Sequence, residues 1–247
     1  MRLHKRLVID GDQVELISDN LTLELHSPGR AIFTVKASAP LNGLVQYSVG
    51  YKPDRIPVYL LGYVEQSQAI DAQQQRLVVR ELPATLNRRL PLALRHCRAT
   101  DLLAEINNQT GLHFMLGGKG EDVWQQTLLP RFDHRGGGYM ALDALGAAFD
   151  LSRYIWQQQP DGRVYVGSWD DSPHAGKSVP VPINQLTRLS AANAASLPVV
   201  PNFRPGVQLR IAGGDPVIIT RTNIIGTEMR IHWTKNPWDG RLKRDAA

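Results

Sequence analysis

Histidines and paired carboxylates are the residues of this chain that could ligate a metal or move a proton, and their spacing argues against both. The seven histidines stand at positions 4, 26, 96, 113, 134, 174 and 232. None belongs to a His-Glu-x-x-His or similar pattern that would set two imidazoles on one helix face. Asp133-His134-Arg135, beside the glycine run 136–138, is the densest cluster, and it reads as a loop with a solvated histidine. The pairs Glu121-Asp122 and Asp170-Asp171 are adjacent in sequence, so in a strand or turn their side chains diverge. No Gly-x-Ser-x-Gly elbow offers a hydrolase nucleophile. The chain is therefore expected to be no enzyme, with no catalytic residue, metal or cofactor.

Two glycine-rich stretches resemble phosphate cradles only superficially. A P-loop needs Gly-x-x-x-x-Gly-Lys-Ser/Thr between a strand and a helix, so that amides and helix dipole converge on phosphate. Gly117-Gly118-Lys119-Gly120 is followed instead by Glu121 and Asp122, which would repel that ligand. Gly136-Gly137-Gly138 opens a helix but lacks Gly-x-Gly-x-x-Gly. Both are read as flexible loop. Of the tryptophans at 124, 156, 169, 233 and 238, Trp156 and Trp233 alternate with polar neighbours and are assigned to the core. Trp238, in the turn that begins Asn236-Pro237, is the candidate for an exposed contact, since Trp is enriched at interface hot spots.

The elements around these residues fall into three segments. Residues 1–83 read as short strands between turns. Arg6–Ile9 and Val14–Ile17 flank Asp10-Gly11-Asp12, a hairpin signal, and Leu21–Leu25, Ala31–Val35, Leu44–Val49, Val58–Val64 and Arg76–Arg80 follow. About seven strands at this spacing suggest a barrel or sandwich. Residues 84–170 hold one helix-then-strand unit twice. An offset of 39 residues pairs Leu103 with Leu142, Ile106 with Leu145 and Leu112 with Leu151. Thr100 is the expected N-cap of the first helix, with Asp101 in its first turn and Gly111 as its stop. The second helix uses Leu142, Leu145 and Phe149 as its stripe, and the segment between, Gly117 to Gly138, is expected to be mostly loop. Residues 171–247 return to strands. The prolines of Lys177–Ile183 make it extended, Val207–Ile211, Val217–Arg221 and Met229–Trp233 alternate, and Ala191–Ser196 looks like a linker or short helix.

Composition bounds the partners. Apolar residues are 43% and charged residues 21%, ordinary for a globular protein. The single cysteine, Cys97, excludes an intramolecular disulfide and is expected to be buried. The basic start meets an acid-bearing turn after three apolar residues, so no secretory signal is expected, and no window suits a membrane-spanning helix. The net charge is +5, and residues 171–247 carry all of it, ten Lys/Arg against five Asp/Glu. Such an end can bind nucleic acid or an acidic partner. The candidate interface residues are thus Trp238, the basic residues Lys235 and Arg241, and Arg88 and Arg89 before the apolar run Leu90–Leu94, where carboxylates of another protomer could pair with them.

Three groups of residues resemble the bacteriophage tail hub (baseplate hub) proteins of the Mu/T4-like kind. They are Gly62–Glu65 with the Ile70-Asp71 turn, Leu142–Phe149 with Pro160–Ser168, and Phe203–Val207 with Met229–Trp233. The resemblance implies a mainly β fold with an α+β middle domain, in which two β-barrel-like, tail-tube-like domains (1–83 and 171–247) flank the tandem helix-strand domain (84–170). It implies a structural, ring-forming component of a tail tip or baseplate, typically a trimer, in the virion after synthesis in the host cytoplasm. Its implied partners are a tail tube or distal tail protein, a tape-measure protein, and spike or fibre proteins. Non-specific contact with DNA passing through a lumen is implied as well. Two other classes fit parts of the chain: a secretin-like ring module, for the middle segment, and a polysaccharide-binding module built on Trp124 and Trp238.

Overall fold

At the first hairpin, Asp10 and Gly11 both take positive φ (52° and 94°), the pair of left-handed conformations that a two-residue type I′ turn requires. This sets Ile9 opposite Asp12 and starts a sheet that most of the chain joins. The computed structural model describes residues 2–118 and 122–238. The N-terminal segment forms β1 (His4–Ile9), β2 (Asp12–Val14), β3 (Leu16–Glu24), β4 (Ser27–Lys36), β5 (Leu44–Gly50), β6 (Val58–Ala69) and β7 (Gln74–Glu81). The middle forms β8 (Leu92–Cys97), α1 (Ala99–Thr110), β9 (Phe114–Leu116), α2 (Val123–Gln126), β10 (Leu129–His134), α3 (Gly138–Ala148), β11 (Tyr154–Gln158) and β12 (Val164–Ser168). The last segment forms β13 (Ser178–Val181), β14 (Thr187–Ser190), β15 (Ala194–Pro198), β16 (Gln208–Ile211), β17 (Pro216–Ile225) and β18 (Glu228–Thr234). The fold is mainly β with an α+β middle.

Contacts divide the chain into two compact units, residues 82–176 and, together, residues 1–81 with 177–247. The first and third sequence segments (1–83 and 171–247) are thus joined, and the joint is backbone pairing. β17 runs antiparallel to β3, with Thr222 opposite Leu23 and Ile224 opposite Leu21. Among the described residues, one sheet of 13 strands follows the path β14-β15-β18-β17-β3-β4-β7-β6-β5-β1-β2, with β16 on β17 and β13 on β16. Pro180 sits in β13, which pairs on one side only, where the missing N–H is harmless. Strand alternation sends Leu21, Phe33, Tyr47 and Leu77 inward to pack with Ile219, Ile224, Met229 and Ile231 from the other end of the chain. Ala191–Ser196 differs from the linker or helix expected. Its second half begins β15, because Ala194 and Ala195 pair with His232 and Ile231 and are buried, so tertiary pairing overrides alanine's helix preference.

In the middle unit, α1 buries Leu102, Leu103 and Ile106, and Gly111 ends it at φ 75°. The cap is Arg98 rather than Thr100: the Asp101 carboxylate accepts the Arg98 backbone N–H at 2.8 Å. α3 buries Leu142 and Leu145, and Trp156 stacks on Tyr139 while its Nε1–H donates to Asp143 at 2.9 Å. The two helix-strand units meet across β12, which pairs parallel to β9 and antiparallel to β11. The stretch expected to be loop holds α2 and β10, and β10 pairs with β8 over Leu129–His134. Cys97 is buried, as expected of a free cysteine.

A charged pair lies inside the β unit. Glu81 and Arg204 are 3% and 6% exposed, with Nη2 and Oε1 3.5 Å apart. Glu81 Oε2 accepts the Gly29 N–H at 2.6 Å, and the Arg204 guanidinium donates to the Tyr59 carbonyl. The Tyr59 hydroxyl in turn donates to the Phe203 carbonyl at 2.8 Å and lies 3.0 Å from the Thr222 hydroxyl. Burial raises the Glu81 pKa, with Arg204 and the Gly29 amide pulling against it, and burial pushes Tyr59 up to about 12. Position 29 must be glycine for lack of space: a Cβ there would lie 2.3 Å from Leu23 Cδ2 and 2.9 Å from the Glu81 carboxyl carbon.

Two outcomes are expected. Gly29→Ala should lower stability by about 1–3 kcal/mol through overpacking, read as a lower urea midpoint without a change of slope. Arg204→Met should cost about 3–5 kcal/mol at pH 7, because it leaves Glu81 buried without its cation. A carboxyl whose folded pKa is raised contributes stability that is full below its ordinary value of 4.5 and is lost as pH rises through the raised value. Losing Arg204 raises Glu81 further, so the deficit of the variant should widen from pH 4.5 to pH 7 in urea titrations. A deficit independent of pH would contradict this.

Candidate functional site

The outward side chains of the sheet alternate with the core, and in register they collect charge from both ends of the chain. Arg30 and Ile32 point away from the buried Ala31 and Phe33 on β4, and Arg76, Val78 and Arg80 do so on β7. Pairing lines up Arg230, Asn223, Thr22, Arg30, Arg80 and Tyr63 in one row across β18, β17, β3, β4, β7 and β6. At about 4.8 Å per strand the row from Arg230 to Arg80 is roughly 19 Å long. It floors a groove of ≈ 500 Å³ that Arg221 and His232 also line.

Among the described residues, four arginines and no carboxylate line the groove, and the acids on neighbouring strand ends are engaged by arginines. Glu24 meets Arg221 at 3.3 Å, and Glu228 meets Arg188 at 3.2 Å. Among the described residues, Arg30, Arg76, Arg80 and Arg230 make no ion pair. Arg30 and Arg80 stand directly opposite each other, and Arg80 Nε is buried without a hydrogen-bond partner. Like charges set opposite on a sheet repel, so this pair is unfavourable unless an anion lies between them. Asn223 is fixed between the arginines: its Nδ2 donates to Asn20 Oδ1 at 2.8 Å and Thr22 Oγ1 at 3.0 Å. Burial first, then Arg230 and Arg221, lowers the His232 pKa, while Glu24 works the other way.

The residues singled out from the sequence lie elsewhere. Arg88 and Arg89 are exposed in the middle unit, ahead of β8. The Arg88 guanidinium donates to the Gln109 carbonyl, and Arg89 Nε donates to the Arg135 carbonyl at 3.3 Å. Their backbone pairs with the start of α3, through the Gly138 N–H on Arg88 O at 3.1 Å and the bridge from Arg89 to Gly137. Lys235, in the β unit, is exposed and bonds Asp215 at 2.7 Å. Trp238 is half-buried, and its backbone N–H donates to Asn236 Oδ1 at 3.1 Å. Arg241 lies outside the described residues, as do Lys119–Glu121 of the first glycine-rich stretch. His134 is not a solvated loop residue: it ends β10 half-buried, with Nε2 3.0 Å from the Gly137 carbonyl. Among the described residues no group of three His, Cys, Asp or Glu is placed to hold a metal, and no helix is long and apolar enough to cross a membrane.

This is the fold of phage tail and baseplate proteins. The 43 kDa tail protein of prophage MuSo2 from Shewanella oneidensis matches with a TM-score of 0.67 at 10% identity, over 96% of this chain and 98% of that one. A tail protein from Neisseria meningitidis MC58 matches at 0.63 and 8% identity, over 94% and 96%. An E. coli component of the type VI secretion system, with structural similarity to the T4 tail proteins gp27 and gp5, matches at 0.62 and 13%, over 92% and 76%. In sequence, the chain is 29% identical over 231 residues to an uncharacterized 58.7 kDa protein of Haemophilus phage HP1. That alignment takes in 91% of this chain but 43% of the phage protein, so the chain spans less than half of its relative. No protein-family profile matches.

Proposed function

We propose that the chain is a non-enzymatic, ring-forming hub of a phage tail tip or baseplate, joining the tail tube to a central spike or fibres and lining the passage of DNA. The observation that carries this reading is the likeness to tail proteins over nearly the whole of both chains, which takes in the β unit and the middle unit alike. The mechanism is geometric. Each protomer offers two tube-like β segments, residues 1–83 and 171–247, so three copies present six such segments to a sixfold tube. The partners are further copies of the chain, a tail tube or distal tail protein, a tape-measure protein, and spike or fibre proteins, in the virion after synthesis in the host cytoplasm. Trp238, Lys235, Arg241, Arg88 and Arg89 are the proposed contact residues, Arg88 and Arg89 on the middle unit and the other three in the last stretch of the sequence.

Mass photometry and negative-stain electron microscopy, on the protein alone and with tail-tube protein, test the proposal. Rings of three 27.5 kDa copies that cap the tube ends are the expected result. A persistent monomer that leaves the tubes uncapped would overturn it.

A further inference from the structure

We infer that the arginine row on the outer face of the β unit seats the phosphate backbone of nucleic acid, without selection of base sequence. The inference rests on the hub reading for the identity of the occupant and on the sheet geometry for the site. It goes beyond that reading by naming the face and the groups that bear on DNA. The residues are Arg30, Arg80 and Arg230 in one row, with Arg76 four residues along β7 from Arg80 on the same side.

Two features favour a phosphate backbone over an acidic peptide. The first is the unshielded juxtaposition of Arg30 and Arg80, paired across β4 and β7 with neither guanidinium in an ion pair among the described residues, the β7 carboxylate Glu81 being buried on the inner face. A phosphodiester has two free oxygens and can accept from both guanidinium forks at once, which relieves the repulsion. The second is that β17, β3, β4 and β7 are each hydrogen-bonded to a strand on both sides. No backbone edge remains under the row to which a peptide could add as a strand, so only side-chain contacts are available. Between the arginines the floor is polar and rigid, since Asn223 spends its donors on Asn20 and Thr22. With that amide held in place, the arginine charges supply the attraction, so binding is electrostatic.

The basic excess at the end of the sequence is a different matter. Arg241, Lys243 and Arg244 lie outside the described residues and are the natural competitor for any DNA binding. The experiment therefore separates the two. The full-length protein is titrated into a fluorescein-labelled 30-bp duplex of arbitrary sequence, and anisotropy is followed from 25 to 300 mM NaCl. The row predicts binding whose log K falls linearly with log salt. The double variant Arg30→Gln/Arg80→Gln should lose about tenfold or more in affinity at low salt, with a slope shallower by roughly two. Lys243→Gln/Arg244→Gln should keep most of the affinity. Circular dichroism melting shows that each variant is folded, and Arg230→Gln serves as an independent probe of the same row. No binding at 25 mM NaCl, or wild-type slopes in both row variants, would overturn the inference. Displacement of the duplex by polyglutamate as effective as by unlabelled DNA would also overturn it, in favour of an acidic peptide. Variants that still cap tubes but no longer bind DNA leave the hub reading intact, whereas protein that binds DNA but never caps tubes removes that reading and leaves the site standing.

Discussion

Glu81 and Arg204 are 123 residues apart in sequence, yet both are sealed in the core of the β unit, and neither is tolerable there without the other. A buried carboxylate and guanidinium each lose hydration worth several kcal/mol, and good geometry with further hydrogen bonds is what offsets the loss. Here the pair and the bonds around it tie both ends of the chain together. Gly29 and Tyr59 of the first segment bond Glu81 and Arg204, and the Tyr59 hydroxyl in turn reaches Phe203 and Thr222 of the last. A second set of contacts has the same character. The Asp19 carboxylate takes Lys5 at 2.6 Å, the Tyr47 hydroxyl at 2.7 Å and the Gly226 N–H at 3.2 Å. Satisfying these groups requires β3 and β17 to be side by side, so the polar interior specifies the pairing that apolar packing alone would leave less defined.

The same economy of charge shapes the surface. In residues 1–83 basic and acidic side chains are equal in number, nine and nine. Asp19, Glu15, Glu24 and Glu81 are engaged by Lys5, Lys36, Arg221 and Arg204. Two of those four cations come from the last third of the chain, so the first third is left with Arg30, Arg76 and Arg80 uncompensated on the outer face. The excess that composition assigns to residues 171–247 is thereby passed, in three dimensions, to a face built from β4 and β7 as much as from β18. Pairing across the chain, rather than local composition, decides where the positive field lies.

Much of the fold was legible because it is written locally. The Asp10-Gly11 turn, the alternation along the strands, the apolar stripes of Leu102, Leu103 and Ile106 and of Leu142 and Leu145, and the Gly111 stop all act within a few residues. What escaped depends on partners distant in sequence. Ala194 and Ala195 become strand because β18 pairs with them, and β10 exists because β8 does. The Arg98 cap was missed because its backbone, not its side chain, is the group Asp101 satisfies. The arginine row was hidden for the same reason as β15: its members share a face only once the register of five strands is known. The period-two spacing of Arg76 and Arg80 was a partial signal, since it sets both on one side of β7.

The central claim is that residues 1–81 and 177–247 form one cooperative unit, which holds the row together because Arg230 comes from one end of the chain and Arg30 and Arg80 from the other. Native-state hydrogen exchange read by mass spectrometry across increasing urea tests it most directly. The amides of β3 and β17 should share one opening free energy and one urea dependence, and should shift together when Arg204 is replaced by Met. If β17 exchanges through an opening of its own while β3 stays protected, the two ends are separate domains and the account is wrong.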